Sequence, residues 1–162
     1  QSSLEPVIYG GGQENNLRGG TVPAHLCVGM GVAAELYQEP TALEERSKLR
    51  SLRDLFVRKV FAICTSFKLN GPNFENRHPG NANICFNGFV AQDILMALQP
   101  QLAASTGSAC TSGTVEASYV LREIGLSIEE AESSIRFSLG RYTTERDIEE
   151  ATALLQKALG RL

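Results

Sequence analysis

Ser105-Thr106-Gly107-Ser108-Ala109-Cys110-Thr111-Ser112-Gly113 is the stretch whose reading decides the rest of the chain. Eight of its nine residues are small or hydroxylated and cannot fill a core. Gly107 and Gly113 give the backbone conformational freedom, and the Ser and Thr side chains favour local bonds to backbone over a helix or a ladder. The stretch therefore predicts an accessible loop, between a strand ending at Ser105 and a helical turn starting at Ser118. The ninth residue is Cys110. A free cysteine is more often a small buried hydrophobe. Nothing in this setting buries one, so Cys110 reads as a candidate nucleophile. Thiols react as thiolates, and no base adjoins Cys110 in sequence, so its activator must come from elsewhere in the fold or from a cofactor.

Outward from that loop the chain alternates helices and strands. Downstream, Ser127 with Glu130 and Thr144 with Asp147 form capping-box patterns that open a short acidic helix and a last helix. The face of the last helix is Ile148, Ala151, Leu155, Ala158 and Leu162. Between the two helices, Ser134 to Leu139 alternates as a strand, with Ile135, Phe137 and Leu139 on one face and Arg136 and Ser138 on the other. Upstream, Gln101–Ser105, Asn81–Asn87 and Phe67–Asn70 read as strands, and Val90–Leu98 as a short helix. Asn70-Gly71-Pro72 is a strong turn signal. A long amphipathic helix carries Leu49, Leu52, Phe56, Val60 and Ile63 at three- and four-residue steps. Its capping box is Thr41 with Glu44, and its charges, Arg53 included, are expected mostly on the solvated side. Residues 22–38 predict a helix with Thr21 as N-cap and Pro23 in its first turn. Being apolar on all sides, it is expected to be largely buried. Leu4 to Tyr9 reads as an edge strand. After it, Gly10-Gly11-Gly12 and Gly19-Gly20 form a glycine-rich loop that is either a plain connection or an anion cradle. The sum is an α/β fold: a mainly antiparallel sheet of about four strands covered by helices.

The 162 residues suit one domain, or one domain plus a fragment of another, and can bury about 70% of the unfolded surface. A formal net charge of −3 with no basic run disfavours nucleic acid or an anionic membrane as partner. No apolar run approaches the roughly 20 residues of a membrane span. Gln1-Ser2-Ser3-Leu4-Glu5-Pro6 does not read as a secretory leader, and the lack of an initiator Met reads as trimming. Cys27, Cys64, Cys85 and Cys110 contain no C-x-x-C pair, and His25 and His78 are the only histidines, so no metal site is expected. Free cysteines fit a reducing, cytoplasmic compartment.

Arg136 stands mid-strand, where arginine is rarely buried without a partner. Its planar fork suits a carboxylate bidentately. Two readings stand side by side: a carboxylate-binding residue, or an arginine on the wet face of a half-covered sheet.

The cysteine loop closely resembles that of cysteine desulfurases of the NifS/IscS type, the class V aminotransferase family. Gly10-Gly11-Gly12-Gln13-Glu14 with Leu17-Arg18-Gly19-Gly20-Thr21 resembles that family's linker motif. Residues 77–86, Arg-His-Pro-Gly-Asn-Ala-Asn-Ile-Cys-Phe, resemble its central strand, with Cys85 where serine is usual. Glu116–Arg122 and Ser133–Arg141 are similar to it as well. The resemblance implies the small C-terminal domain of a fold-type I pyridoxal phosphate enzyme over 22–162, preceded at 1–21 by the tail of the large domain and a linker. It implies an enzyme that takes sulfur from L-cysteine, leaves L-alanine and delivers the sulfur to an acceptor or iron–sulfur scaffold protein. By resemblance, Cys110 would carry the sulfur as a persulfide and Arg136 would hold the substrate carboxylate. Thr21 would contact the pyridoxal 5′-phosphate of a neighbouring subunit in a homodimer.

The family also needs a lysine to hold the cofactor, an aspartate at its ring nitrogen and a histidine stacked on the ring. Lys48, Lys59, Lys68 and Lys157 lack the family's Ser-x-His-Lys context. No covalently bound cofactor is therefore expected on this chain, and the chain alone is expected to be inactive. Two identities follow: the C-terminal piece of a cysteine desulfurase, or a stand-alone derivative serving as sulfur carrier, iron–sulfur binder or dimerising module. Surface left bare by a missing large domain is expected to drive a non-native association.

Overall fold

A computed structural model describes residues 4–38, 40–106 and 117–162. They divide into two compact units, one reaching Ala42 and the other spanning Leu43–Leu162.

In the first unit the expected strand at 4–9 contributes a single bridge, Ile8 to Arg18, because Gly19 N–H donates to Ile8 O at 2.9 Å and the pairing goes no further. A Cβ at Gly19 would sit 2.7 Å from Gly10 Cα, so the glycines are there to let two backbone segments touch. That close approach accounts for the glycine pattern as a connection. Helix α1 covers Ala24–Glu35, shorter than the expected 22–38, and its flanking residue is Pro23, with no side-chain cap. Thr21 does not cap it. The expectation that α1 is largely buried is overturned: none of its residues is buried, and Leu26 and Met30 are 63% and 77% exposed. An all-apolar helix needs neighbours on every side, and the first unit by itself does not supply them.

The second unit is built on a three-stranded antiparallel sheet in the order β1-β2-β3, with β1 Phe67–Leu69, β2 Asn81–Phe86 and β3 Ser134–Ser138. Phe67 opposes Phe86, and Ala82 opposes Phe137. One face is the core. There Ala82, Ile84, Phe86, Ile135 and Phe137 meet the apolar stripes of α2 Thr41–Ile63, α3 Ala91–Leu98 and α6 Glu145–Leu159. Phe56 of α2 packs on Phe137 with ring centroids 4.9 Å apart. Burying each such side chain contributes about 1.5–3 kcal/mol. The opposite face of the same strands is polar.

The expected strand at 101–105 is reduced to one bridge, Ser105 to Arg136. Leu102 N–H still donates back to Leu98 O at 3.0 Å, so the chain leaving α3 becomes extended only at its end. Two short helices, α4 Tyr119–Glu123 and α5 Ile128–Glu132, precede β3. Both expected downstream capping boxes form, Ser127 with Glu130 and Thr144 with Asp147. Helix α2 starts at Thr41 itself. Arg141, in the turn after β3, grips Glu45 of α2 through Nε at 2.8 Å and Nη2 at 2.6 Å. Those hydrogen bonds hold the Glu45 carboxyl below its usual range. Among the described residues no helix is long and apolar enough to cross a membrane.

Candidate functional site

The polar face of the sheet gathers what the apolar face excludes. Strand alternation puts Asn83 and Cys85 of β2 and Ser134 and Arg136 of β3 on it, and Asn70 follows β1. A cavity of about 300 Å³ opens there, with Asn70, Arg77, Asn83, Ser118, Leu121 and Arg136 in its wall. Arg136 is exposed, and no acid is paired with its guanidinium among the described residues. Its backbone is held twice by Ser105: Arg136 N–H donates to Ser105 O at 2.6 Å and Ser105 N–H to Arg136 O at 3.2 Å. The first residue of the cysteine loop is therefore pinned to Arg136.

Cys110 itself lies outside the described residues. Thr21 belongs to the first unit and is exposed just before α1.

Behind Arg136 runs a chain of polar bonds that sequence reading did not find. Asn70 Nδ2 donates to Asn83 Oδ1 and to Ser134 Oγ, each at 2.8 Å, and Ser134 Oγ donates to Glu130 O at 2.6 Å. Arg77 Nη2 donates to Asn70 O at 2.8 Å and also to Pro72 O. Burial, and then the nearby Arg53 charge, lower the Arg77 pKa from its usual value. Arg53 corrects the expectation of a solvated charge on α2. It is fully buried, donating to Phe74 O at 2.9 Å and His78 O at 3.3 Å, with Asp54 at 2.8 Å. Its cation lies 5.3 Å from the centre of the Phe74 ring. Arg53 thus ties α2 to the 70–80 turn that carries Arg77. Its position between Leu52 and Phe56 was the one available clue.

Cys85 is buried, with Sγ 3.2 Å from Asn87 Oδ1, and burial raises its thiol pKa. A thiol held neutral and out of solvent is a poor nucleophile. Among the described residues no cluster of His, Cys, Asp and Glu could hold a metal ion. The cavity wall suits an anion. It includes no lysine, aspartate or histidine, so it does not supply the groups that would hold pyridoxal phosphate.

Comparison with known proteins bears on this arrangement. The family model for aminotransferase class-V matches residues 3–151. The cysteine desulfurase IscS of Pasteurella multocida is 45% identical over 98% of this chain, which covers 38% of that protein. IscS of Serratia proteamaculans has the same identity and coverage. The chain thus spans about 38% of the length of these curated relatives. Among solved structures, a NifS-like protein from Rickettsia africae superposes with a TM-score of 0.83 at 28% identity, covering 98% of this chain and 41% of that one. SspA in complex with cysteine gives a TM-score of 0.59 at 32% identity, over 89% of this chain and 38% of that one. With the family model matched along nearly its whole length, the chain belongs to the aminotransferase class-V family.

Proposed function

We propose that this chain is the C-terminal portion of a cysteine desulfurase, with residues 1–21 the end of the large domain and linker and 22–162 the small domain. Cys110 takes sulfur from L-cysteine and carries it as a persulfide to an acceptor or iron–sulfur scaffold protein in the cytoplasm. In that step the Cys110 thiolate attacks the substrate sulfur and the substrate C–S bond breaks. The carbon keeps the bonding pair and gains a proton, leaving L-alanine. Pyridoxal 5′-phosphate, with its lysine outside this chain and its phosphate contacted by Thr21 of a neighbouring copy, would supply the electron sink for that cleavage. The chain's own residues bind and orient. Arg136 holds the substrate carboxylate through its fork, and Thr21 donates to the cofactor phosphate of a neighbouring subunit in a homodimer.

The observation that carries this reading is the pair of backbone hydrogen bonds between Ser105 and Arg136. It roots the cysteine loop on the residue that would orient the substrate, so binding and sulfur transfer share one support. Exposure of α1 along Leu26, Val28, Met30 and Val32 supports the portion reading, since such a surface calls for cover from the rest of a longer protein. The free cysteines Cys27, Cys64 and Cys85 are consistent with a reducing compartment.

The test is the intact mass of the chain after incubation with a pyridoxal-dependent desulfurase and L-cysteine. Wild-type chain is expected to gain one sulfur, and Cys110→Ala none. A gain that survives in Cys110→Ala would move the persulfide off Cys110 and sink the assignment. Alanine formed by the chain alone with added cofactor would refute its dependence on a cofactor-binding portion.

A further inference from the structure

Asn83 and Arg136 are directly opposed across β2 and β3. Arg136 turns both its backbone groups to Ser105, and Asn83 O accepts from Asn70 N–H on the side of β1. The two therefore form a non-hydrogen-bonded pair, the kind in which Cα atoms lie about 4.5 Å apart and side chains stand closest. Both side chains line the same cavity.

The direction of the protons behind Asn83 follows from the bonds. Ser134 Oγ is 2.6 Å from Glu130 O, which can only accept, so the serine proton goes there. Ser134 Oγ is then an acceptor toward Asn70, and the Asn70 atom facing it must be the NH2 nitrogen. That nitrogen also reaches Asn83 at 2.8 Å, which turns the Asn83 oxygen toward Asn70. The Asn83 NH2 group is left as the one that can donate into the cavity. Among the described residues no acceptor is paired with it. Asn83 is half-buried at the cavity wall, so a molecule in the cavity can accept from that NH2 group.

We propose that Asn83 is a second carboxylate-binding residue, its Nδ2 donating to one oxygen of a carboxylate whose other oxygen lies on the Arg136 fork. The inference rests on the reading of Arg136 given above. A charged fork on one side and a neutral amide on the other offer a donor to each oxygen of a carboxylate. Arg77, anchored on Asn70 O, adds positive charge to the same wall.

The experiment is a titration of the full 15N-labelled chain with sodium acetate, following the Asn83 side-chain NH2 and the Arg136 Nε–H by NMR. Both are expected to shift together with a single dissociation constant. Asn83→Ala should weaken acetate binding, read at Arg136, about tenfold, the loss of one hydrogen bond to a charged group. The wild-type titration needs no variant, so the inference stands or falls even if Asn83→Ala does not fold. Arg136 shifting while Asn83 stays still would overturn the role of Asn83 and leave that of Arg136 standing. Neither group shifting would overturn both. An equal response of Asn83 to inorganic phosphate would overturn the assignment to a carboxylate.

Discussion

The two faces of one three-stranded sheet do different work with alternate residues of the same strands. On the core face, Ile84, Phe86, Ile135 and Phe137 are buried under α2, α3 and α6. On the other, Asn83, Ser134 and Arg136 border a cavity or hold its wall through hydrogen bonds. The core face needs only volume and apolar surface, and many side chains supply those. The polar face depends on direction, because each donor must meet one acceptor. Stability therefore concentrates on one side and candidate chemistry on the other, one residue apart along the backbone.

Substituting the core face should produce the largest effect. Phe86→Ala removes a fully buried ring and should destabilise the chain by about 3–5 kcal/mol in urea unfolding, through lost burial plus a cavity. A loss below about 1 kcal/mol would mean that the site collapses or that the core is not organised around this strand.

Arg53 sharpens the contrast, as a charged residue that behaves like part of the core. Arg53→Ala strands the carbonyls of Phe74 and His78 and should cost about 2–3 kcal/mol. Arg53→Lys is expected to recover only part of this, because a single ammonium cannot reproduce the fork. Equal stabilities for the two variants in urea unfolding would show that the fork contributes nothing beyond charge.

The smallest effect belongs to the margin of the fold. Thr144 N–H donates to Asp147 Oδ2 at 2.8 Å, and that bond, first among its causes, holds the Asp147 carboxyl below its ordinary value. A carboxyl depressed in the folded state adds stability above its unfolded pKa of about 3.9 and loses it as pH falls through the folded value. Thermal unfolding followed from pH 7 down to about pH 2 should show that loss in wild type and a shallower one in Asp147→Asn. Identical slopes would assign the acid sensitivity to other carboxylates such as Glu45.

Local signals were legible in the sequence wherever all partners lie within a few residues. The boxes Ser127–Glu130 and Thr144–Asp147 each close over three residues, and both form. The alternation from Ser134 assigned Ile135 and Phe137 to the core and Arg136 to the other face, as observed. The three-four spacing of Leu49, Leu52, Phe56 and Val60 marked the buried stripe of α2. What failed involved distant partners. The strand expected at 101–105 needed an edge to pair with along its whole length and found it only at Ser105. Arg53 reads as surface charge until the 70–80 turn folds over it. Asn70 meets Ser134 across 64 positions, a pairing that periodicity does not encode.

By itself, then, the sequence determined the α/β class, the faces of β3, the apolar stripe of α2, that of α6 as far as Ala158 (Leu162, expected on it, lies beyond the helix and is exposed), the two downstream helix caps and the membership that its motifs announce. Those properties follow from local sterics, hydrogen bonds of short span and the hydrophobic period, all written into neighbouring residues. Only the tertiary structure decided that Arg53 is buried, that Ser105 is bonded to Arg136, and that Asn70, Asn83 and Ser134 form one directed chain of protons. Each of these depends on groups far apart in sequence meeting at hydrogen-bond distance, and only the folded sheet sets that distance.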